Sequence, residues 1–149
     1  MRFLCDQMLG TLAKWLRILG HDTVYARDGD DDSLLEQAAA EGRVLLTRDR
    51  ELAERAADAV LIESTELEEQ LRRVVAATGI EIREHAMLSR CTVCNTPVVQ
   101  VEKSKVKEEV PAHAYEAHES FWTCPGCGRV YWKGTHWDDM RRFVRQLMQ

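Results

Sequence analysis

Two Cys-x-x-Cys pairs, Cys91 with Cys94 and Cys124 with Cys127, constrain this chain more than any other feature. Each is followed within one residue by a turn former, Asn95 or Gly128, which makes two small turns able to present four thiolates to one tetrahedral ion. The 29 residues between the pairs exceed the shortest zinc-finger spacings but suit a ribbon with one pair on each of two hairpin knuckles. Four thiolates leave no position for water, so zinc held there is structural rather than catalytic. Paired disulfides are the competing reading. They are disfavoured because Asp6, Lys14 and Arg17 interrupt any apolar leader near Met1, which gives the expectation of a cytosolic chain with reduced thiols. Cys5, inside the run Phe3-Leu4-Cys5, reads as a small buried hydrophobe.

The first 85 residues alternate strand-like and helical patterns. Arg2 to Cys5 reads as a buried strand; Leu9, Leu12, Ala13, Leu16 and Leu19 then recur at helical spacing up to a stop at Gly20. Thr23 to Ala26 is a second strand, and the acidic turn Asp28 to Ser33 leads into a helix with Leu34, Leu35, Ala38 and Ala39. Val44 to Thr47, a short helix from Glu51 to Ala57, Val60 to Glu63 and a helix carrying Leu67, Leu71, Val74 and Val75 continue the series. This order predicts an α/β fold, a mostly parallel sheet flanked by helices, with Ile80 to Arg83 expected as a last strand.

Beyond His85 the pattern changes to short β-prone pieces, Pro97 to Glu102, Ser120 to Thr123 and Val130 to Lys133, woven around the cysteines. So little apolar material folds with help from zinc. Lys103 to Glu109 reads as an exposed loop or hairpin edge, and Trp137 to Met148 as a last helix with Met140, Phe143, Val144 and Leu147 on one side. The expected organisation is 1–85 as the α/β domain and 86–149 as zinc ribbon plus C-terminal helix. At 149 residues there is room for one domain with such an appendage and no more, and no apolar run approaches the length of a membrane span. Residues 1–85 carry a net charge of −7 and residues 86–149 one of +2, so a polyanion would be met locally, through a few basic side chains or bound cations.

Acids end the apolar strands. Asp6 follows the first, Asp49 the third after one intervening Arg48, and Asp28 to Asp32 the second, so all open on the carboxyl edge of a parallel sheet, where sites form. Oxygen-only ligands gathered there favour Mg²⁺ or Mn²⁺, which can bridge a phosphodiester and activate water. Helix capping is the competing role for both Asp6 and Asp49. The acidic turn is no EF-hand, because Ser33 and Ala39 stand where that loop needs Gly and Glu.

The runs Phe3 to Gly20 (FLCDQMLGTLAKWLRILG), Leu46-Thr47-Arg48-Asp49-Arg50, Arg90-Cys91-Thr92-Val93-Cys94-Asn95 and Cys124 to Trp137 (CPGCGRVYWKGTHW) together resemble the Mut-seven C-terminal RNase family, a PIN-like nuclease domain with a zinc ribbon. The resemblance implies a PIN-like fold and metal-dependent cleavage of RNA, with Asp6 and Asp49 matching the acids after the first and third strands and Asp31 or Asp32 the acid opening the second helix. Such nucleases often carry a further acid after the fourth strand, where this chain offers Glu63, Ser64 and Glu66.

Lys14 and Arg17, expected opposite the apolar stripe of the first helix, and Arg48 are candidate phosphate contacts. In the ribbon, Trp122, Tyr131, Trp132 and Trp137 stand among Arg129, Lys133 and His136, a mixture that suits either base stacking or a small aromatic core. The leading hypothesis is an endoribonuclease in which Asp6, Asp31 and Asp49 hold Mg²⁺ or Mn²⁺. Its rivals are a non-catalytic RNA-binding module, with the ribbon as reader, and a zinc-organised protein adaptor.

Overall fold

The computed structural model describes residues 1–149. Its first half runs β1 (Arg2–Cys5), α1 (Gly10–Ile18), β2 (Asp22–Tyr25), α2 (Asp31–Glu41), β3 (Val44–Thr47), α3 (Arg50–Arg55), β4 (Ala59–Leu61) and α4 (Leu67–Thr78). The four strands form one parallel sheet in the order β2-β1-β3-β4, with Phe3 opposite Thr23 on one side and Val44 on the other. Alternation along the strands sorts the core onto two faces. Phe3, Cys5, Val44, Leu46 and Val60 meet Leu12, Leu16, Leu71 and Val74 of α1 and α4 on one face. Leu4 and Leu45 meet Leu34, Ala38 and Leu52 of α2 and α3 on the other. Each fully buried Leu or Phe contributes about 1.5–3 kcal/mol. The α1 helix ends at Gly20, whose φ of +94° suits only glycine; the His21 amide then reaches back to the Leu16 carbonyl at 2.9 Å.

The expected strand at Ile80 to Arg83 does not form. This segment has no ladder partner and lies beside Gly20 and His21, with Ile80 and Ile82 packed on the core. Its apolar alternation is satisfied by side-chain packing rather than by pairing, so the sheet stops at four strands.

The second half places β5 (Val99–Val101), β6 (Phe121–Thr123) and β7 (Val130–Tyr131) in a three-stranded antiparallel sheet. Between β5 and β6, the stretch Lys103 to Glu109, expected as an exposed loop or hairpin edge, contains a 3-10 turn at Lys103–Val106, and a helix, α5 (Ala112–Ala117), follows it. Val106 and Val110 are buried with Phe121, and Ala114 is buried one turn further on. The last helix, α6 (Thr135–Leu147), returns to the α/β half: Val144 and Leu147 join the larger core, and Phe143 packs on Trp15 with ring centroids 4.7 Å apart. Composition changes at residue 85, but the packing of α6 crosses that point.

The ribbon is also fastened to the open edge of β2. Asn95 Oδ1 accepts from the Thr23 amide at 3.0 Å while its Nδ2 donates to Asp22 at 2.7 Å. Asn95 has φ +70°, a conformation that asparagine tolerates better than most residues. Arg17, buried on α1, spans the same junction, donating to the carbonyls of Thr23 at 2.8 Å and of Thr92 and Val93 at 3.0 Å. Asp22 also takes Arg43 at 2.8 Å and Arg2 at 3.3 Å. Burial works against its charge, yet the donors Arg43, Asn95 and Arg2 prevail and hold its carboxyl down at about 2. A network of charged and backbone groups thus covers the strand edge that would otherwise stay open to pairing.

Candidate functional site

All four strands of the first sheet are parallel, so their carboxyl ends share one edge, and Asp6, Asp49 and the acidic loop all lie there. Asp6 is buried. One of its oxygens accepts from the Met8 amide at 3.1 Å, which caps the turn after β1; the other accepts from the Thr47 hydroxyl at 2.5 Å. The Thr47 oxygen in turn accepts from the Asp49 amide at 3.0 Å. Thr47 therefore ties the two acids together across adjacent strands. Asp49 is exposed and caps α3, accepting from the Leu52 amide at 3.2 Å. Capping and membership of the acidic edge thus coexist in both residues.

The second-strand acids divide their duties. Asp30 caps α2 through the Ser33 amide at 2.8 Å, and Asp32 pairs with Arg55 of α3. Asp31 is exposed in the first turn of α2 and has neither duty. The three expected ligands do not close as tightly as the sulfurs: no three acids bring their oxygens within 4.8 Å of one another, whereas the four cysteines do. Glu63, beyond β4, is exposed and faces Arg50 at 3.6 Å.

The basic candidates separate. Lys14 is exposed on α1. Arg48 lies at the acid edge, donating to the Glu63 carbonyl at 3.3 Å, and its Nε is buried without a partner. Arg17 corrects the sequence expectation: it is 9% exposed and occupied by the three carbonyls of the ribbon junction, because the helix turns that position toward β2 and the first knuckle.

In the ribbon, Cys91 and Cys127 sulfurs are 3.7 Å apart and Cys94 and Cys124 sulfurs 3.2 Å apart. A tetrahedral zinc with bonds of about 2.3 Å needs sulfurs about 3.8 Å apart, so the donor set fits the ion. Hydroxyl and amide of Thr96 lead in lowering the Cys94 thiol to about 6, poised as thiolate. At Cys127 the Arg129 amide favours the thiolate, but burial and the neighbouring sulfurs prevail and push it up to about 11. Such mutual repulsion is what a dication relieves. Gly126 permits the approach, since a Cβ there would sit 3.0 Å from the Thr96 hydroxyl and 3.4 Å from the Cys94 sulfur. Tyr131 braces the cluster with its hydroxyl 3.1 Å from the Cys91 sulfur and 3.2 Å from the Thr92 amide. Of the other aromatics, Trp132 joins the ribbon core, while Lys133 lies over both Trp122 and Trp137.

A family model, the Mut7-C RNAse domain, matches residues 1–144, nearly the whole chain. The chain belongs to the Mut7-C family. No curated protein matches it. Membership in Mut7-C brings a nuclease-like function and RNA as the class of substrate, and no helix is long and apolar enough to cross a membrane.

Sequence reasoning named Asn95 only as a turn former and Tyr131 only among the ribbon aromatics, and missed the contacts that these two and Thr47 make. Thr47 had a usable signal: it is two residues before Asp49, and strand period places it on the face opposite Leu46. Asn95 and Tyr131 had none, since their partners are far away in the chain.

Proposed function

We propose that this protein is a divalent-metal-dependent endoribonuclease whose reaction takes place at the carboxyl edge of the four-stranded sheet. The bridge from the Asp6 carboxylate through the Thr47 hydroxyl to the Asp49 amide carries the reading. It holds two acids from distant parts of the chain at one edge with oxygen donors only, a set suited to Mg²⁺ or Mn²⁺. Mg²⁺ commonly uses one or two carboxylates and completes its shell with water and substrate phosphate, so Asp6 and Asp49 suffice as anchors, with exposed Asp31 as a further ligand. When bound, the cation would supply activation of water and stabilisation of charge developing on the phosphodiester.

The chain's own groups do the rest. Thr47 fixes the orientation of Asp6 and leaves its oxygens at the floor of the edge, while exposed Asp49 stands at the rim. Exposed Lys14 on α1 and Arg48 beside Glu63 supply positive charge by which an RNA phosphate would be drawn in against the acidic surroundings. The zinc ribbon shapes and anchors the sheet edge rather than reacting, since its cysteines complete the ion's shell.

The test is cleavage of labelled RNA with and without Mn²⁺. Asp6→Asn and Asp49→Asn should each lower the metal-dependent rate at least about 100-fold, the scale of losing one major electrostatic contribution, while zinc content stays unchanged. Cutting that persists in both variants would refute the reading; RNA binding without cleavage at any metal concentration would make the protein a reader.

A further inference from the structure

The α/β half and the first zinc knuckle share a groove of about 630 Å³. Thr11, Lys14, Tyr25 and Arg27 line it from one side, and Thr92 and Val93 from the other. It begins at the acid edge, because the Tyr25 hydroxyl donates to the carbonyl of Gln7, the residue after Asp6, at 2.7 Å. That bond lays the Tyr25 ring against α1, where a Cβ on Gly10 would lie 3.2 Å from it. The groove ends at the knuckle, whose carbonyls Arg17 clasps from below.

Its two exposed cations are not committed to carboxylates. Arg2, Arg43 and Arg55 are all paired with carboxylates, whereas exposed Lys14 and Arg27 have none within salt-bridge distance. Two free cations and an aromatic ring flank a channel leading from an acidic edge, in a protein of net charge −5. Cations that track a backbone beside an aromatic platform are what a single nucleic-acid strand requires. Val93, 53% exposed on the opposite wall, offers apolar contact to a base.

We propose that this groove binds the single strand of RNA adjoining the bond to be cut, so that the zinc knuckle forms one wall of the substrate site. The inference rests on the ribonuclease reading for which strand lies there and why. Lys14 and Arg27 each take a backbone phosphate, Tyr25 stacks a base, and Arg17 is a positioning residue that holds the knuckle at the right distance.

The experiment is equilibrium binding of a fluorescein-labelled oligouridylate to the zinc-loaded full chain, without Mg²⁺ or Mn²⁺ so that nothing is cut. For single strands each phosphate contact is worth about fivefold in affinity at about 0.1 M salt. Lys14→Ala with Arg27→Ala should therefore weaken binding roughly 25-fold and flatten the salt dependence by about 1.4 in slope. Val93→Glu, which leaves every groove cation in place, should weaken it about fivefold, while Lys107→Glu, the more drastic charge change at an exposed site on the outer ribbon, should leave it within about twofold. All are exposed positions, and zinc content verifies folding. Binding unaffected by Val93→Glu, an equal loss from Lys107→Glu, or no binding by the parent chain would overturn the groove. Cleavage that needs Asp6 and Asp49 but ignores these substitutions would overturn the groove alone; groove-dependent binding with no Mn²⁺-dependent cleavage would overturn the ribonuclease reading alone.

Discussion

Replacing Asn95 with alanine should partly detach the ribbon from the sheet. The Thr23 residue whose amide Asn95 satisfies is fully buried, so that donor would lose its partner, at about 1–3 kcal/mol. Asp22 would lose one donor but keep Arg43 and Arg2, a smaller loss of about 0.5–1 kcal/mol. Alanine held at the φ of +70° recorded for this position adds about 1 kcal/mol. Together the change should destabilise the zinc-loaded chain by about 2.5–5 kcal/mol, which for a chain of this size lowers Tm by roughly 5–20 °C. Asn95→Asp keeps the acceptor for Thr23 but turns a carboxylate oxygen toward Asp22, so it should destabilise at neutral pH and recover as acid protonates the new side chain. Scanning calorimetry at matched zinc content measures both. A Tm within about 2 °C of the parent for Asn95→Ala would refute the claim that this contact fastens the two halves.

Zinc removal by a strong chelator should unfold the three-stranded sheet and change the fluorescence of Trp122 and Trp132, and iodoacetamide should then modify the four ribbon cysteines well before Cys5, whose thiol burial and then Asp6 push far up; equal labelling of all five by mass spectrometry would contradict this. Since the Asp22 carboxyl lies below its ordinary value in the folded chain, its ionised form contributes stability above about pH 4 that disappears as pH falls toward 2. That contribution is about 1–2 kcal/mol, and Asp22→Asn should erase this part of the pH dependence in denaturant titrations at pH 3 and 6.

Much of the molecule could be read from local patterns. Helical spacing through Leu12 and Leu16, and the strand-ending acids, required only short-range regularities that each element carries in its own residues. The knuckles were legible for the same reason: Asn95 and Gly128 both adopt the left-handed turn their spacing called for. The burial of the segment between β5 and β6 had a trace in Val106, Val110 and Ala114 at four-residue spacing, obscured by the charged stretch around it. The unpaired segment at Ile80 to Arg83 shows the limit in the other direction, since alternation reports which side chains are buried but not whether the backbone finds a ladder. Arg17 was misjudged because its partners, the Thr92 and Val93 carbonyls, belong to the other half of the chain and are chemically anonymous in a sequence. The role of Thr47 likewise depends on the register between β1 and β3, which pairs Cys5 with Leu46 and so sets Asp6 beside Thr47.

The most direct test is anomalous diffraction from crystals of the zinc-loaded protein soaked in Mn²⁺. A manganese peak within coordination distance of the Asp6 and Asp49 carboxylates, lost in Asp6→Asn, is the predicted result. Full zinc occupancy at the four cysteines with no manganese at that edge would contradict a catalytic cation there.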